Sequence, residues 1–179
     1  MNRLIVLIGY RGSGKTTVGG ILARQLGWDF LDADTILEGR YGKTIKDVFA
    51  AEGEPGFRDK ESAILADLCQ RSDAVIATGG GVVLREANRE LLRQHGFVAW
   101  LSADARALWA RIQDDPATAA RRPALAGGGL AEVEQLLAAR EPLYRASADV
   151  EVPVAGLSPE QAADAILAAW ISHSPKSSG

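Results

Sequence analysis

The stretch GYRGSGKT at residues 9–16 fits the pattern G-x-x-x-x-G-K-[ST], which is typical of a phosphate-binding P-loop. The five residues before it, LIVLI at 4–8, are all apolar and predict a buried strand. The residues after it predict a helix, because apolar side chains recur at helical spacing at Val18, Ile21, Leu22 and Leu26. A strand, a glycine-rich loop and a helix in this order form the context that a P-loop requires.

The chemistry of this loop favours phosphate binding. Glycine lacks a Cβ atom, so the backbone can wrap closely around an anion, and the N–H groups of the loop and of the helix N-terminus point at it. We expect Lys15 to contact the outer phosphates and the Thr16 hydroxyl to ligate Mg²⁺. The alternative is an ordinary glycine-rich turn that carries a surface lysine.

Length and composition predict one α/β domain, which we place at residues 1–171 of the 179. The formal net charge of −3 gives no signature of nucleic-acid or membrane binding. A single cysteine, Cys69, excludes an intrachain disulfide and fits a reducing cytoplasm. The N-terminal apolar run is too short for a signal peptide or a membrane span. Residues 172–179 are rich in Ser, Pro and Gly, and we expect them to be disordered.

Two carboxylates follow the second predicted strand, at residues 28–31. Asp32 and Asp34 are two positions apart, so in extended chain they point to the same side, at the strand end that lines the crevice of a doubly wound sheet. The alternative is that Asp34 caps a helix at 35–40. The next predicted strand, 74–77, ends in Thr78 instead of the Asp that often assists Mg²⁺, so Asp32 is the best candidate for that role.

Further buried strands are predicted at 97–101 and 149–152. After the strand at 74–77 come Gly79, Gly80 and Gly81, which let backbone N–H groups approach a ligand, although a flexible turn would also explain them.

Two arginines stand at unusual places on predicted helices. Arg58 lies in the first turn of a helix at about 57–69, where the helix dipole disfavours a cation, and Glu61 is placed to orient it. A ligand clamp and a surface ion pair both fit this position. Arg140 continues the apolar stripe of a later helix and therefore needs a partner, either a ligand carboxylate or a helix C-terminus. Pro142 is expected to end or kink that helix.

The least core-like region runs from about 114 to 129 and contains Arg121, Arg122 and Pro123 between flexible ends. Long loops of this kind are often active-site lids, and two arginines suit a mobile lid that closes over phosphates. A disordered surface loop is the alternative.

Taken together, these motifs resemble the shikimate kinase family over residues 3–171. The resemblance rests on their order and spacing: GYRGSGKT, Asp32 and Asp34, Phe57-Arg58, the three glycines at 79–81, Arg122-Pro123, and REPLYR at 140–145. It implies a three-layer P-loop NTPase fold with a five-stranded parallel sheet and a mobile lid. It also implies transfer of the ATP γ-phosphate to the 3-hydroxyl of shikimate in aromatic amino acid biosynthesis, with Mg²⁺ as cofactor, in a protein that resembles monomeric relatives.

The resemblance also implies residue roles. ATP would be bound by Gly12, Ser13, Gly14, Lys15, Thr16, Thr17, Arg111 and Arg122, with Arg111 against the adenine. Mg²⁺ would be served by Thr16 and Asp32. Shikimate would be bound by Asp34, Arg58, Gly79, Gly80, Gly81 and Arg140. The catalytic set would be Lys15, Asp34 and Arg122, although Arg121 doubles the lid charge and leaves open which arginine reaches the nucleotide. The chain departs from the family at Ala124, where leucine is common.

Two other functions are compatible with a P-loop. A gluconate kinase or nucleoside monophosphate kinase also phosphorylates a small molecule, and gluconate is a polyhydroxy carboxylate that arginines could bind. A nucleotide switch or ATPase module is a different class, but the sequence contains neither N-K-x-D for guanine nor an LSGGQ-type signature.

Overall fold

The computed structural model describes residues 3–115 and 128–173. Its sheet has five parallel strands in the order β2-β3-β1-β4-β5. They are β1 (Leu4–Ile8), β2 (Asp29–Asp32), β3 (Ala74–Ala77), β4 (Phe97–Ser102) and β5 (Val150–Pro153). The five-stranded parallel sheet that the resemblance implies is confirmed.

Helices cover both faces of this sheet. In the described residues they are α1 (Lys15–Leu26), α2 (Ala33–Tyr41), α3 (Ile45–Leu68), α4 (Glu86–His95), α5 (Ala105–Asp114), α6 (Gly129–Ser147) and α7 (Pro159–Ser172), with a 3-10 turn at Val82–Leu84. Alternate residues of β1 enter different cores: Val6 and Ile8 pack with α3, and Ile5 and Leu7 pack with α1 and α7. The fold is therefore a three-layer α/β sandwich, as the buried strands predict.

The strand order places the P-loop at the middle of the sheet. β1 lies between β3 and β4, and the chain leaves β1 directly into the loop and α1. In doubly wound sheets this reversal of strand order opens a crevice at the carboxyl ends of the strands. The loops after β1, β2 and β3 meet there.

Two local expectations were wrong. Helix α2 starts at Ala33, so Asp34 lies in its first turn and not in extended chain, and the residue that caps the helix is Asp32, whose carboxylate accepts from the Thr35 N–H. Helix α6 continues through Pro142 to Ser147. Helix α3 has a kink at Gly53, where the backbone is not helical.

Two expectations fall mostly on residues outside those described. Most of the lid predicted at about 114–129, including Arg121 and Arg122, lies within 116–127, and most of the tail predicted at 172–179 lies within 174–179. Within residues 3–115 and 128–173, no helix combines the length and the apolar character that crossing a bilayer requires.

Candidate active site

The P-loop turns tightly around the Lys15 ammonium group. Its Nζ donates to the carbonyl oxygens of Gly9 at 2.8 Å and Tyr10 at 2.9 Å. The loop can pass this close to β4 because Gly9 has a φ of 143°, and a Cβ there would lie 2.6 Å from the Leu101 carbonyl oxygen. The lysine is thus held within the loop, beside the N-terminus of α1, which no side chain of the described residues caps.

Thr16 and Asp32 meet across the floor of the crevice. The Thr16 hydroxyl donates to one Asp32 carboxylate oxygen at 3.0 Å, and the other oxygen accepts from the Thr35 N–H at 3.0 Å. Hydroxyl and carboxylate oxygens are ligands of the hard kind that Mg²⁺ prefers. In the described residues no group of three or more His, Cys, Asp or Glu side chains could hold a metal by itself, so further ligands would have to come from phosphates and water.

An open cleft of about 260 Å³ runs from the P-loop towards β3. Its lining combines the predicted phosphate, metal and acceptor residues: Arg11, Gly12, Gly14, Lys15, Thr16, Thr17, Asp32, Asp34, Thr78, Gly80, Arg111 and Asp115. Asp34 therefore faces the same cleft as Lys15 although it sits on a helix, because α2 begins at the rim of the sheet.

Arg58 does not line this cleft; it lies beside the glycine turn after β3 and is held there by two carboxylates of its own helix. Its Nη1 donates to Glu61 at 2.7 Å, and its Nη2 donates to Glu54 at 3.0 Å. Gly81 packs against the guanidinium, since a Cβ at this position would lie 2.3 Å from Nη1. The pairing with Glu61 agrees with the sequence, whereas the contact with Glu54 was missed. Its spacing of four residues before Arg58 is a signal that could have found it.

Arg140 is the second buried arginine, with only 7% of the residue exposed. In residues 3–115 and 128–173, no carboxylate lies within ion-pair distance of its guanidinium. Its Nη1 would lie 3.6 Å from a Cβ on Gly80, and the carbonyl of Gly80 accepts a hydrogen bond from Tyr144 one turn further along α6. Helix α6 therefore sets both the Arg140 position and the position of the glycine turn.

A second, more apolar pocket of about 250 Å³ opens on the other side of the P-loop. Arg111 separates it from the main cleft and its Nη1 donates to the Gly12 carbonyl at 3.5 Å. The far wall is formed by residues after β5, among them Val154, Leu157 and Pro159. The pocket is adjacent to the loop that would hold phosphates, and its shape and polarity suit an aromatic base.

The sequence profile of the shikimate kinase family matches residues 11–170. The chain belongs to the shikimate kinase family. A shikimate kinase of Rhodopirellula baltica is 42% identical over 176 residues, which are 98% of this chain and 92% of the relative. A solved structure of shikimate kinase from Acinetobacter baumannii in complex with shikimate has a TM-score of 0.89 and 36% identity, covering 97% of this chain and 96% of that one.

The gluconate kinase alternative receives weaker support. A gluconokinase structure from Sinorhizobium meliloti covers 96% of this chain and 93% of its own, with a TM-score of 0.59 and 17% identity. A likeness at that level concerns the fold alone. Membership of the shikimate kinase family therefore decides between these two kinases.

The described residues among those predicted from the shikimate kinase resemblance form two groups in space. Around the P-loop cluster Gly12, Ser13, Gly14, Lys15, Thr16, Thr17, Asp32, Asp34 and Arg111. Around the glycine turn after β3 lie Gly79, Gly80, Gly81, Arg58 and Arg140. Arg122 and Arg121 lie outside the described residues, so their placement stays a prediction.

Proposed function

We propose that this chain transfers the γ-phosphate of ATP to the 3-hydroxyl of shikimate and releases shikimate 3-phosphate and ADP. The observation that carries the proposal is Arg140, a buried cation with no carboxylate partner in the described residues, close to a P-loop. A buried charge is costly unless it is paired, so an anionic substrate is its natural partner. We assign the enzyme to the reducing cytoplasm, which its single cysteine fits, and we infer a monomer from the family resemblance.

The nucleotide occupies the P-loop side of the site in this proposal. Loop N–H groups and the N-terminus of α1 bind the phosphates, because their dipoles favour negative charge. The adenine enters the apolar pocket beside Arg111, whose planar guanidinium can stack on an aromatic ring. Lys15 exchanges the carbonyls of Gly9 and Tyr10 for phosphate oxygens when the nucleotide binds.

Mg²⁺ would be held by the Thr16 hydroxyl and assisted by Asp32; the Thr16 hydroxyl already donates to the Asp32 carboxylate at 3.0 Å. When it is bound, the metal would neutralise part of the negative charge of the phosphates. The chain's own contribution is to orient these two oxygens, which it does by fixing the second Asp32 oxygen on the N-terminus of α2.

Shikimate occupies the other side of the same cleft. Its carboxylate is bound by Arg58 and Arg140, whose forked N–H groups match the geometry of a carboxylate. The backbone of Gly80, flanked by Gly79 and Gly81, contacts the ring at short range, which side chains at these positions would prevent. This arrangement directs the 3-hydroxyl towards Asp34 and the nucleotide.

Phosphoryl transfer needs chiefly positioning and charge stabilisation, because its transition state is loose. Asp34 accepts the hydrogen bond of the attacking hydroxyl and later receives its proton, acting mainly as an orienting acceptor. Lys15 stabilises the charge that grows on the leaving phosphate. Arg122, by family resemblance, adds a further positive charge there.

The direct test measures ADP release from ATP with shikimate, with gluconate and with neither. We expect turnover with shikimate only. Lys15→Met and Asp34→Asn should each lower kcat by at least ~10²-fold, as loss of one transition-state donor does. Lys46→Met and Asp29→Asn alter exposed residues outside the cleft and serve as matched controls that should keep full activity. Turnover with gluconate instead of shikimate would refute the substrate assignment, and full activity of either site variant would remove that residue's role.

A further inference from the structure

The two arginines of the proposed acid site are held by different interactions. Arg58 donates to Glu54 and Glu61, so two carboxylates fix its position and oppose its charge. Arg140 has no such partner among residues 3–115 and 128–173. Its guanidinium carbon instead lies over the ring of Tyr10, 5.6 Å from the ring centroid.

Tyr10 is the second residue of the P-loop, and its ring is built into the interior. The residue is 3% exposed and packs with Leu108 and Ile112 of α5 and Val133 of α6. Its hydroxyl makes no hydrogen bond to any described residue. The contact with Arg140 is therefore made by the face of the ring, and the hydroxyl is dispensable for it.

The ring presents a neutral face to the arginine. Burial raises the pKa of the Tyr10 phenol above its ordinary value, and the nearby charge of Glu132 acts in the same direction, while Arg140 and Arg11 act against it. The net effect is a phenol that stays protonated at neutral pH. A neutral π face attracts a cation without neutralising its charge, unlike a carboxylate.

We propose that Tyr10 is a positioning residue, which holds the Arg140 guanidinium by its ring face and leaves the N–H groups and the full positive charge for the carboxylate of the substrate. A carboxylate in place of the ring would compete with the substrate for the same donors. Tyr10 also touches the nucleotide side, since its carbonyl accepts from Lys15 at 2.9 Å. Tyr10 thus contacts Lys15 through its backbone carbonyl and Arg140 through its ring. Its side chain therefore acts only on the site of the acid. The inference rests on the proposed function, which assigns the acid to Arg140.

The test compares Tyr10→Phe, which keeps the ring, with Tyr10→Leu, which keeps an apolar side chain but no ring. A cation–π contact at a desolvated site predicts that Tyr10→Leu raises the KM for shikimate by about 3- to 30-fold. The KM for ATP and kcat should change by less than about twofold, because the loop backbone is retained. Tyr10→Phe should behave as the unaltered chain. Tyr41→Leu is the matched control, because Tyr41 also lies under a cation, Lys60 at 4.7 Å, but on α2 outside the cleft lining.

Phenylalanines with increasing numbers of ring fluorines at position 10 keep the packing and weaken the π face, so they test the inference even if Tyr10→Leu does not fold. The KM for shikimate should rise stepwise with fluorination while the KM for ATP stays constant. An unchanged KM for shikimate across the series, or a Tyr10→Phe variant as impaired as Tyr10→Leu, would overturn the inference with the proposed function intact. Absence of shikimate phosphorylation by the unaltered chain would instead overturn the proposed function.

Discussion

Arg58 and Arg140 have the same charge and similar burial, but removing them should have different consequences for folding. Arg58 neutralises Glu61, which is 5% exposed and has one carboxylate oxygen, Oε1, that finds no hydrogen-bond partner among the described residues even when Arg58 is present. Arg140 has no carboxylate that depends on it among the described residues. Arg58 thus stabilises α3, whereas no carboxylate among the described residues neutralises the charge of Arg140.

We therefore expect Arg58→Ala to lower the free energy of unfolding by about 3–5 kcal/mol, because it leaves the Glu61 carboxylate buried and unpaired. Arg140→Ala should change it by less than about 1 kcal/mol, since a buried cation is removed together with its packing. Both variants should weaken shikimate binding by roughly 2–5 kcal/mol, as truncation of one partner of a buried charge pair does. Urea unfolding measures the free energy of unfolding, and calorimetric titration measures the affinity for shikimate.

The double variant Arg58→Met with Glu61→Leu serves as the control. Replacing both members of a buried pair by apolar residues is often neutral or stabilising, so the stability should recover while shikimate binding stays weak. Equal loss of stability in Arg58→Ala and Arg140→Ala would show that the Arg58–Glu61 pair does not have the energetic role that its geometry indicates.

For single residues, the sequence predicted the positions of the two arginines better than it predicted the contacts that hold them in place. The helical spacing of Glu61 and the inward stripe containing Arg140 both predicted their positions, because a helix of 3.6 residues per turn fixes which side chains share a face. The contact of Tyr10 with Arg140 joins residues 130 positions apart and has no periodic signal. Only the packing of the P-loop against α6 creates it.

Among the elements, helix α3 depends on one glycine. Gly53 has a φ of 67° and a ψ of −173°, a conformation that is essentially restricted to glycine. The kink there separates a first segment capped by Thr44 from a second that begins near Pro55 and carries both Arg58 and its partners. The direction of the second segment, and with it the guanidinium, follows from this residue.

Gly53→Ala should therefore lower the free energy of unfolding by roughly 1–3 kcal/mol, which is the cost of holding a side chain in such a conformation. It should also raise the KM for shikimate and leave the KM for ATP unchanged, because the P-loop does not lie on α3. Thermal unfolding and steady-state kinetics would measure both effects.

Gly39→Ala is the matched control on the neighbouring helix. Gly39 lies inside α2 with a helical backbone, and a Cβ there would meet nothing within 4 Å. This variant should be more stable by about 0.5–1 kcal/mol, because alanine loses less conformational freedom in a helix. A Gly53→Ala variant that behaves like Gly39→Ala would exclude a structural role for the kink.

The bounds of the elements were the part of the fold that sequence predicted least well. Asp32 and Asp34 were expected in extended chain, but the carboxylate of Asp32 starts α2 immediately by binding the Thr35 N–H. Pro142 was expected to interrupt α6, since a proline in a helix interior costs about 3 kcal/mol. The buried Arg140 and Tyr144, on either side of it, pack against the glycine turn and Trp100, and this tertiary packing outweighs the local preference.

For the whole molecule, the order of the motifs along the chain predicted the topology. Three of the motifs, the P-loop, the Asp32 and Asp34 pair and the glycine turn, each follow a strand, and parallel strands direct their carboxyl ends to one edge of the sheet. The P-loop, Asp32 and the glycine turn therefore meet although about 70 residues separate the first from the last. What the motifs could not predict is that the two halves of the site rest largely on different helices: the P-loop mainly on α5, through Gly12 against Ile112, with Tyr10 also packing against α6, and the acid side on α3 and α6.

This division predicts two separate patterns of hydrogen exchange. ADP should slow exchange in residues 9–17 and in α5, because binding favours the closed form of the loop and of the helix that supports it. Shikimate alone should slow exchange in residues 53–61 and 79–81 and around 140–144, where its proposed ligands lie. In the Arg140→Ala variant the shikimate pattern should disappear at millimolar ligand that saturates the unaltered chain, while the ADP pattern remains. Each ligand can stabilise only the segments whose contacts differ between its bound and free states. Protection of α5 by shikimate, or of residues 53–61 by ADP alone, would therefore contradict the inference that the two sites have separate supports.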